Sequence, residues 1–207
     1  KKLKEKITVV LSGEGADEIF GGYGRIFRSA DDWQYLEDLR NRNFVASSEI
    51  DQKLIEKYGV GVSTKMDMFL SMYRYSSQES VKALLGPEIC SEFEVGPSMA
   101  VMKKSFQESD DIDMATQMMY VFENLHLPGL LQRLDSTTMG ASVEGRVPFV
   151  DHNLVELAFS LPNDMKMRFN DDSIFKGLLG HEISEVHDTP KWILKKACED
   201  FLPSEIL

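Results

Sequence analysis

Residues 9–24, VVLSGEGADEIFGGYG, contain the side chains with the clearest capacity for chemistry. After an apolar run, Ser12 and Gly13 begin a glycine-rich turn that also holds two carboxylates, Glu14 and Asp17. A strand that ends in Ser-Gly-x-Gly and leads into a helix can hold a phosphate, because glycines allow close backbone approach and amide groups face the anion. Glycine spacing of this kind is a weak signal when it stands alone.

The carboxylates in this turn need a separate explanation, since they would repel a polyphosphate. The simplest interpretation has Asp17 as a ligand of Mg²⁺ and Glu14 available for proton transfer. The alternative is that both acids only favour the first helical turn through the helix dipole. The residues by themselves leave both interpretations open.

One strand and about eight helices are predicted to position these groups. KITVVL, residues 6–11, is continuous and β-branched, which is typical of a strand buried on both faces. Helical patterns dominate after Ala16. Because a lone strand cannot satisfy its own backbone groups, we expect its sheet partners to come from outside the chain. We therefore interpret the chain as a piece of a larger α/β protein.

Polar residues and prolines predict where the helices begin and end. Asp31 and Asp32 are expected to cap WQYLEDLRNR. Ser47 and Ser48 precede EIDQKLIEKYG, a helix that is expected to end on Gly59. Ser77 begins a capping-box-like SQES. A long apolar-faced helix, MATQMMYVFENLHL, is expected to end at Pro128.

Composition places the chain among soluble globular proteins and disfavours several classes of partner. Its 207 residues are 43% hydrophobic and 28% charged, and no apolar run reaches the ~20 residues of a membrane span. The net charge of −11 disfavours nucleic acid, since such a surface repels phosphate backbones. Cys90 and Cys198 lack the spacing of a disulfide framework or a zinc site, so a reducing cytoplasm is expected.

Three blocks of the chain resemble one enzyme family. LSGEGADEIFGGY resembles the LSGEGADELFGGY-type signature in the synthetase domain of glutamine-hydrolysing asparagine synthetases. LLQRLDSTTMGASVEGRVPFVDHNLVELAFSLP, residues 130–162, and KWILKKACEDFLPSEIL, residues 191–207, are similar to the two later blocks of that family. The blocks occur in the family's order and reach both ends of the chain, whereas residues 26–125 show no sharp motif.

The resemblance implies a fold class and a reaction. It implies a predominantly α-helical fragment, residues 1–207, from the C-terminal part of an α/β ATP pyrophosphatase domain. Such enzymes adenylate a carboxylate, usually the β-carboxylate of aspartate, and ammonia from a separate N-terminal glutaminase domain then attacks the acyl-adenylate. By matched position, Ser12 and the Gly13 backbone would contact ATP, Asp17 would bind Mg²⁺, and Glu14 would be the general base.

The later blocks supply further candidates by the same resemblance. Lys191 matches the lysine that stabilises the leaving pyrophosphate, and Lys176 in SIFKGLL is a rival for that role. Arg146 is a candidate ligand of a substrate carboxylate, because a planar guanidinium donates two parallel hydrogen bonds.

The other charged residues of the middle block have two readings. Glu144, Arg133 and Asp135 are expected beside the site, where Arg133 and Asp135 would join a buried ion-pair network. The alternative is architectural, with paired charges holding two helices together.

Some features of the family are missing from this chain. Its SGGxDS nucleotide loop and its glutaminase, with a cysteine at the first position, are not found in residues 1–207. We therefore predict that the chain alone neither turns over ATP nor binds it tightly. Within the family, the acceptor could instead be a sugar uronic acid or a β-lactam precursor. Outside enzyme chemistry, a degenerate helical module that binds a partner is the alternative.

Overall fold

Helices dominate the structure, and short strands occur in two small sheets. The computed structural model describes residues 2, 4–59, 61–76, 78–85, 88–89, 96–171 and 177–206. In these residues the α-helices are α1 (Ala16–Phe20), α2 (Gly24–Phe27), α3 (Ser29–Asn41), α4 (Glu49–Tyr58), α5 (Lys65–Tyr73), α6 (Gln78–Leu85), α7 (Pro97–Glu108), α8 (Met114–Val121), α9 (Leu127–Met139), α10 (His152–Ser160), α11 (Asn163–Lys166), α12 (Gly180–Ile183) and α13 (Trp192–Cys198). The strands are β1 (Val9–Leu11), β2 (Glu144–Arg146), β3 (Met167–Phe169) and β4 (Asp188–Pro190). None of the described helices is long and apolar enough to cross a membrane.

The predicted count of elements is wrong because it misses the shortest ones. The described part of the chain contains thirteen α-helices rather than about eight, and four strands rather than one. Helices α1, α2, α11 and α12 have only four or five residues, and each strand has three. Segments this short carry too few residues for a hydrophobic period to be recognised.

The N-terminal strand departs from its prediction in length, burial and pairing. It covers only Val9–Leu11, and the Leu11 side chain is 67% exposed, so the strand is not buried on both faces. It pairs in parallel with β2, with Val9 opposite Glu144 and Leu11 opposite Arg146. At least one sheet partner therefore comes from within the chain. The EGR tripeptide of β2 has no β-branched residue, so its sequence gives no strand signal.

Helix α4 follows its predicted boundaries. The Ser48 hydroxyl accepts a hydrogen bond from the Asp51 amide, and the Asp51 carboxylate accepts one from the Ser48 amide, which completes a capping box. The helix ends before Gly59, whose φ is 57°. Ser77, with its predicted capping box, lies outside the described residues.

Asp31 and Asp32 do not cap a helix, contrary to the prediction. Helix α3 begins at Ser29 and includes both acids in its first turn. Asp32 is buried, and its carboxylate accepts hydrogen bonds from the Tyr58 hydroxyl and, at 2.7 Å, from the Gly180 amide. These long-range donors take the carboxylate away from the role of a local cap.

The long central helix continues through Pro128 instead of ending there. Helix α8 leads into a π-helical turn, Phe122–His126, and then directly into α9. Pro128 lies in the first turn of α9, after the π-helical turn. Proline is tolerated in a first turn, where its missing N–H is not required for an intrahelical bond. The helical run therefore reaches the middle block of residues 130–162.

Two apolar clusters organise the fold. The larger one contains fully buried Phe27, Phe69 and Phe122 and collects side chains from most of the helices before residue 122. The smaller one centres on Ile19 and Ala158, and it holds α1 against α10 and α13. The smaller cluster matters for the site, because α1 carries the acidic turn and α13 begins next to Lys191.

Candidate active site

The turn after β1 has a backbone that only glycine allows. The Ser12 amide donates to the Arg146 carbonyl at 2.8 Å and so extends the parallel pairing by one residue. Gly15 then adopts φ 99° and begins α1. A Cβ on Gly15 would also lie 2.8 Å from Val150 Cγ2, so both conformation and space exclude larger residues. This turn leaves the Gly13 backbone exposed beside the start of the helix.

Asp17 and Lys191 form an ion pair across the two ends of the chain. Lys191 Nζ lies 2.8 Å from Asp17 Oδ1, although 174 positions separate the two residues. The Asp17 side chain is 39% exposed and the Lys191 side chain is 30% exposed, so both remain accessible to a ligand. The structure thus brings together the predicted metal ligand and the predicted pyrophosphate-binding lysine.

Both members of this pair depend on unusual backbone positions. Lys191 has φ 55°, in the left-handed region that non-glycine residues rarely adopt, and it directly precedes α13. A Cβ on Gly22 would lie 1.8 Å from Asp17 Oδ1, so the second glycine of the GGY motif makes room for the carboxylate. The signature therefore contains both Asp17 and the glycine, Gly22, that leaves space for its carboxylate.

Glu14 lies against Arg133 from the central helix. Arg133 Nη2 is 3.7 Å from Glu14 Oε1, and the Arg133 side chain is 66% exposed. The predicted buried network of Arg133 and Asp135 is therefore wrong, since both side chains are exposed on α9. Because α9 runs beside the turn, Arg133 reaches Glu14 rather than its neighbour on the same helix.

Glu144 and Arg146 pair with each other on a single strand. Arg146 Nε donates to Glu144 Oε1 at 2.8 Å, and both side chains are more than half exposed. The hydrogen bond from Arg146 lowers the pKa of Glu144. The architectural alternative, in which Glu144 would help to hold two helices together, is wrong because Glu144 belongs to β2 and pairs within that strand. Arg146 is nonetheless next to the turn, since its carbonyl accepts from the Ser12 amide.

A buried acid behind the turn was missed by the sequence reading. Glu18 is 1% exposed, and the Tyr23 hydroxyl donates to its Oε1 at 2.8 Å. Burial, followed by the contact with Glu18, raises the pKa of Tyr23, so its hydroxyl stays protonated. Both residues belong to the GEGADEIFGGY signature. The only sign of their contact in the sequence is that they lie five positions apart.

The residues around Asp17 suit Mg²⁺ only if water and substrate supply most of its ligands. No three His, Cys, Asp or Glu side chains of the described residues lie together as a metal-binding group. Mg²⁺ often uses only one or two carboxylates and takes its remaining ligands from water and substrate phosphates. A single accessible Asp17 carboxylate fits that second arrangement. Lys176 lies outside the described residues, so the choice between it and Lys191 receives no structural comparison.

Comparison with known proteins identifies the family of this chain. The Asparagine synthase family model matches residues 1–207. The chain belongs to this family. It is 30% identical over its whole length to asparagine synthetase [glutamine-hydrolyzing] 3 of Bacillus subtilis and 26% identical to asparagine synthetase [glutamine-hydrolyzing] 1 of the same organism. It is also 28% identical, over 79% of its length, to the amidase chry2 of Gibberella zeae.

The family members are much longer than this chain. The match covers 26% and 30% of the two Bacillus subtilis asparagine synthetases and 27% of the amidase. The chain thus spans between a quarter and a third of the length of these relatives. No solved structure matches the chain.

Proposed function

We propose that the chain is the C-terminal part of the synthetase domain in an ATP-dependent amidotransferase, which adenylates a carboxylate and converts it to an amide. The observation that carries this proposal is the 2.8 Å contact between Asp17 and Lys191. In a family of this chemistry, an acid and a cation that meet from opposite ends of the chain can serve one bound triphosphate. The proposal includes an α/β ATP pyrophosphatase fold for the complete domain.

The turn after β1 is proposed to hold the nucleotide. Ser12 offers a hydroxyl and Gly13 an exposed backbone, which are suited to phosphate oxygens. Asp17 would hold Mg²⁺, and the bound ion supplies charge neutralisation to the phosphates. The chain itself contributes the open glycine backbone that lets these oxygens approach.

Lys191 is proposed to stabilise the departing pyrophosphate. An oxygen of the substrate carboxylate attacks the α-phosphorus of ATP, the acyl–phosphate bond forms, and the bond to pyrophosphate breaks. Negative charge then collects on the pyrophosphate, where a compact ammonium is most effective. Because the Lys191–Asp17 pair is partly exposed, the ammonium can exchange its carboxylate partner for a phosphate oxygen at low cost.

Glu14 is proposed as the base in the second half-reaction. Ammonia attacks the acyl carbon, AMP departs with the carboxyl oxygen, and the surplus proton of the new amide passes to the Glu14 carboxylate. Arg133, next to Glu14, would keep that carboxylate oriented. Arg146 is our candidate for binding a second carboxylate of the substrate, with Glu144 holding its guanidinium.

The proposed substrates follow the family's reaction. The acceptor is aspartate, whose β-carboxylate becomes the amide of asparagine, and the ammonia comes from glutamine through an N-terminal glutaminase domain of the complete protein. A uronic acid is the alternative acceptor, since the turn after β1 does not distinguish between these substrates.

The test is carboxylate-dependent exchange of labelled pyrophosphate into ATP by the complete gene product. We expect exchange with aspartate but not with glucuronate, and its loss in Asp17→Asn and Lys191→Met at an unchanged melting temperature. We expect no exchange from the 207-residue chain alone. Pyrophosphate exchange that does not depend on aspartate, or full exchange in Lys191→Met, would contradict the proposal.

The alternative is a non-catalytic binding module, in which the Asp17–Lys191 contact would have only a structural role. Asp17 and Lys191 satisfy each other directly, as a purely structural ion pair would. In that case the complete gene product would show no exchange with any carboxylate, and Lys191→Met would change only stability.

A further inference from the structure

A buried ion pair connects the acidic segment of the site to the strand that presents Lys191. Arg28, between α2 and α3, is 6% exposed, and its Nε donates to Asp188 Oδ2 at 2.7 Å. Asp188 is 3% exposed and is the first residue of β4, which ends immediately before Lys191. Arg28 follows closely after α1, the helix that carries Asp17. The pair therefore ties together the two segments whose ends meet in the site.

The same guanidinium also fixes the neighbouring strand. Arg28 Nη2 donates to the Met167 carbonyl at 2.5 Å, and the guanidinium carbon lies 3.8 Å from the centroid of the Phe169 ring. Met167 and Phe169 are the two ends of β3, which pairs with β4 so that Phe169 lies opposite Asp188 and Met167 opposite Pro190. One planar side chain thus contacts both strands, which a lysine with a single point charge would not reproduce.

Close backbone packing reinforces this connection. A Cβ on Gly180 would lie 2.4 Å from the Arg28 carbonyl oxygen. A Cβ on Gly24 would lie 2.3 Å from Ser184 Oγ. Both glycines therefore let the segment before β4 approach α2 and the start of α3 more closely than any other residue would allow.

Lys191 needs such support because its own backbone conformation is unfavourable. A non-glycine residue at φ 55° persists only where the surrounding structure holds it. On its N-terminal side, the holding element is β4, and β4 is attached through Asp188 to Arg28. The direction in which the Lys191 side chain leaves the backbone therefore depends on this attachment.

We propose that Arg28 and Asp188 are positioning residues, whose ion pair holds β4 so that the Lys191 ammonium faces the Asp17 carboxylate. The inference rests on the function proposed above, which gives Lys191 its role toward pyrophosphate. It adds two residues that contact neither nucleotide nor acceptor but set where the cation lies.

The first test follows Lys191 directly in the purified complete gene product. The variants are Asp188→Asn and Arg28→Lys, which retain size or charge. The matched control is Glu182→Gln, because Lys53 Nζ lies 3.2 Å from Glu182 Oε1 and joins α4 to the segment before β4 without touching the strand. Pulse acetylation with peptide mass spectrometry, well below each melting temperature, reports the reactivity of the Lys191 amine. We expect the rate of Lys191 acetylation to rise about fivefold in both variants, because that factor corresponds to the loss of a partly exposed ion pair. We expect no rise in Glu182→Gln.

The second test measures pyrophosphate exchange by the same proteins. A displaced cation should lower kcat by about 100-fold. The KM for ATP should change by less than about threefold, because Lys191 acts on the transition state and a loss of ground-state binding would instead raise KM. Unchanged Lys191 acetylation in folded Asp188→Asn and Arg28→Lys, or an equal rise in Glu182→Gln, overturns the proposal. If the unsubstituted protein shows no exchange, the proposed function fails, and the acetylation result still decides whether the ion pair positions Lys191.

Discussion

Replacing Gly22 with alanine perturbs the Asp17 carboxylate while leaving every charge of the site in place. A Cβ on Gly22 would lie 1.8 Å from Asp17 Oδ1 and 2.6 Å from its Cγ. Since carbon and oxygen approach each other to about 3.3 Å, the carboxylate oxygen must move by about 1.5 Å. Lys191 Nζ lies 2.8 Å from that oxygen, so we expect the pair to lose its hydrogen bond.

Gly22→Ala should lower both the activity and the stability of the protein. A displacement of ~1 Å in a catalytic arrangement costs about 100-fold in rate, so we expect pyrophosphate exchange by Gly22→Ala to fall by about that factor. The side chains of Asp17 and Lys191 are 39% and 30% exposed. An ion pair of that exposure contributes about 0–1 kcal/mol to stability, and the new Cβ would also lie 2.8 Å from the backbone Cα of Asp17, a clash whose relief costs about 1–3 kcal/mol.

The assay is aspartate-dependent exchange by the complete gene product, accompanied by urea unfolding. Gly129→Ala is the matched control, because a Cβ there has nothing within 4 Å and the residue lies within α9. It should gain about 0.5–1 kcal/mol of stability from the better helix former and keep its exchange rate. Wild-type exchange in Gly22→Ala, or an equal loss in Gly129→Ala, would refute the reasoning.

Three further predictions concern stability. Lys166 is fully buried, and burial lowers its pKa from 10.5 to about 8. The unfolded chain therefore binds more protons between pH 8 and 10.5, so stability should rise with pH across that window, and Lys166→Met should gain about 3 kcal/mol at pH 7 and flatten the rise. Ser48→Ala removes the cap of α4 and should cost about 1 kcal/mol. Tyr23→Phe leaves buried Glu18 without its donor and should cost about 2 kcal/mol.

Urea unfolding checks all three predictions, each with its own comparison. Lys166→Met is measured at pH 7 and pH 9.5, and a gain that is equal at both values would contradict the cause given. For Ser48→Ala, the comparison is Ser48→Asn, because asparagine caps helices about as well as serine, and an equal loss in both variants would argue against the cap. Tyr35→Phe, at a 43% exposed tyrosine, should be neutral, and a neutral Tyr23→Phe would show that Glu18 does not need that hydroxyl.

Local signals in the sequence were sufficient where a few adjacent residues decide the structure. The start of α4 after Ser47 and Ser48 and its end at Gly59 could be predicted, because both boundaries depend on residues within one helical turn. Membership in the asparagine synthase family was also readable from three blocks of motifs, and the match over residues 1–207 confirms it.

Long-range pairing could not be predicted from these local signals. β2 is defined by its pairing with β1, and nothing in Glu144-Gly145-Arg146 marks a strand. Asp32 was expected to cap a helix, but donors from Tyr58 and Gly180 reach it only after the chain has folded.

The sequence by itself determined the family and which side chains are available for chemistry, because those depend on residue identity alone. Only the tertiary structure decided that Lys191 meets Asp17, that Arg133 meets Glu14, and that Arg28 holds the strand before Lys191. Each of these contacts joins residues more than a hundred positions apart, and the energy that selects them comes from burial and packing of the whole core rather than from any local preference.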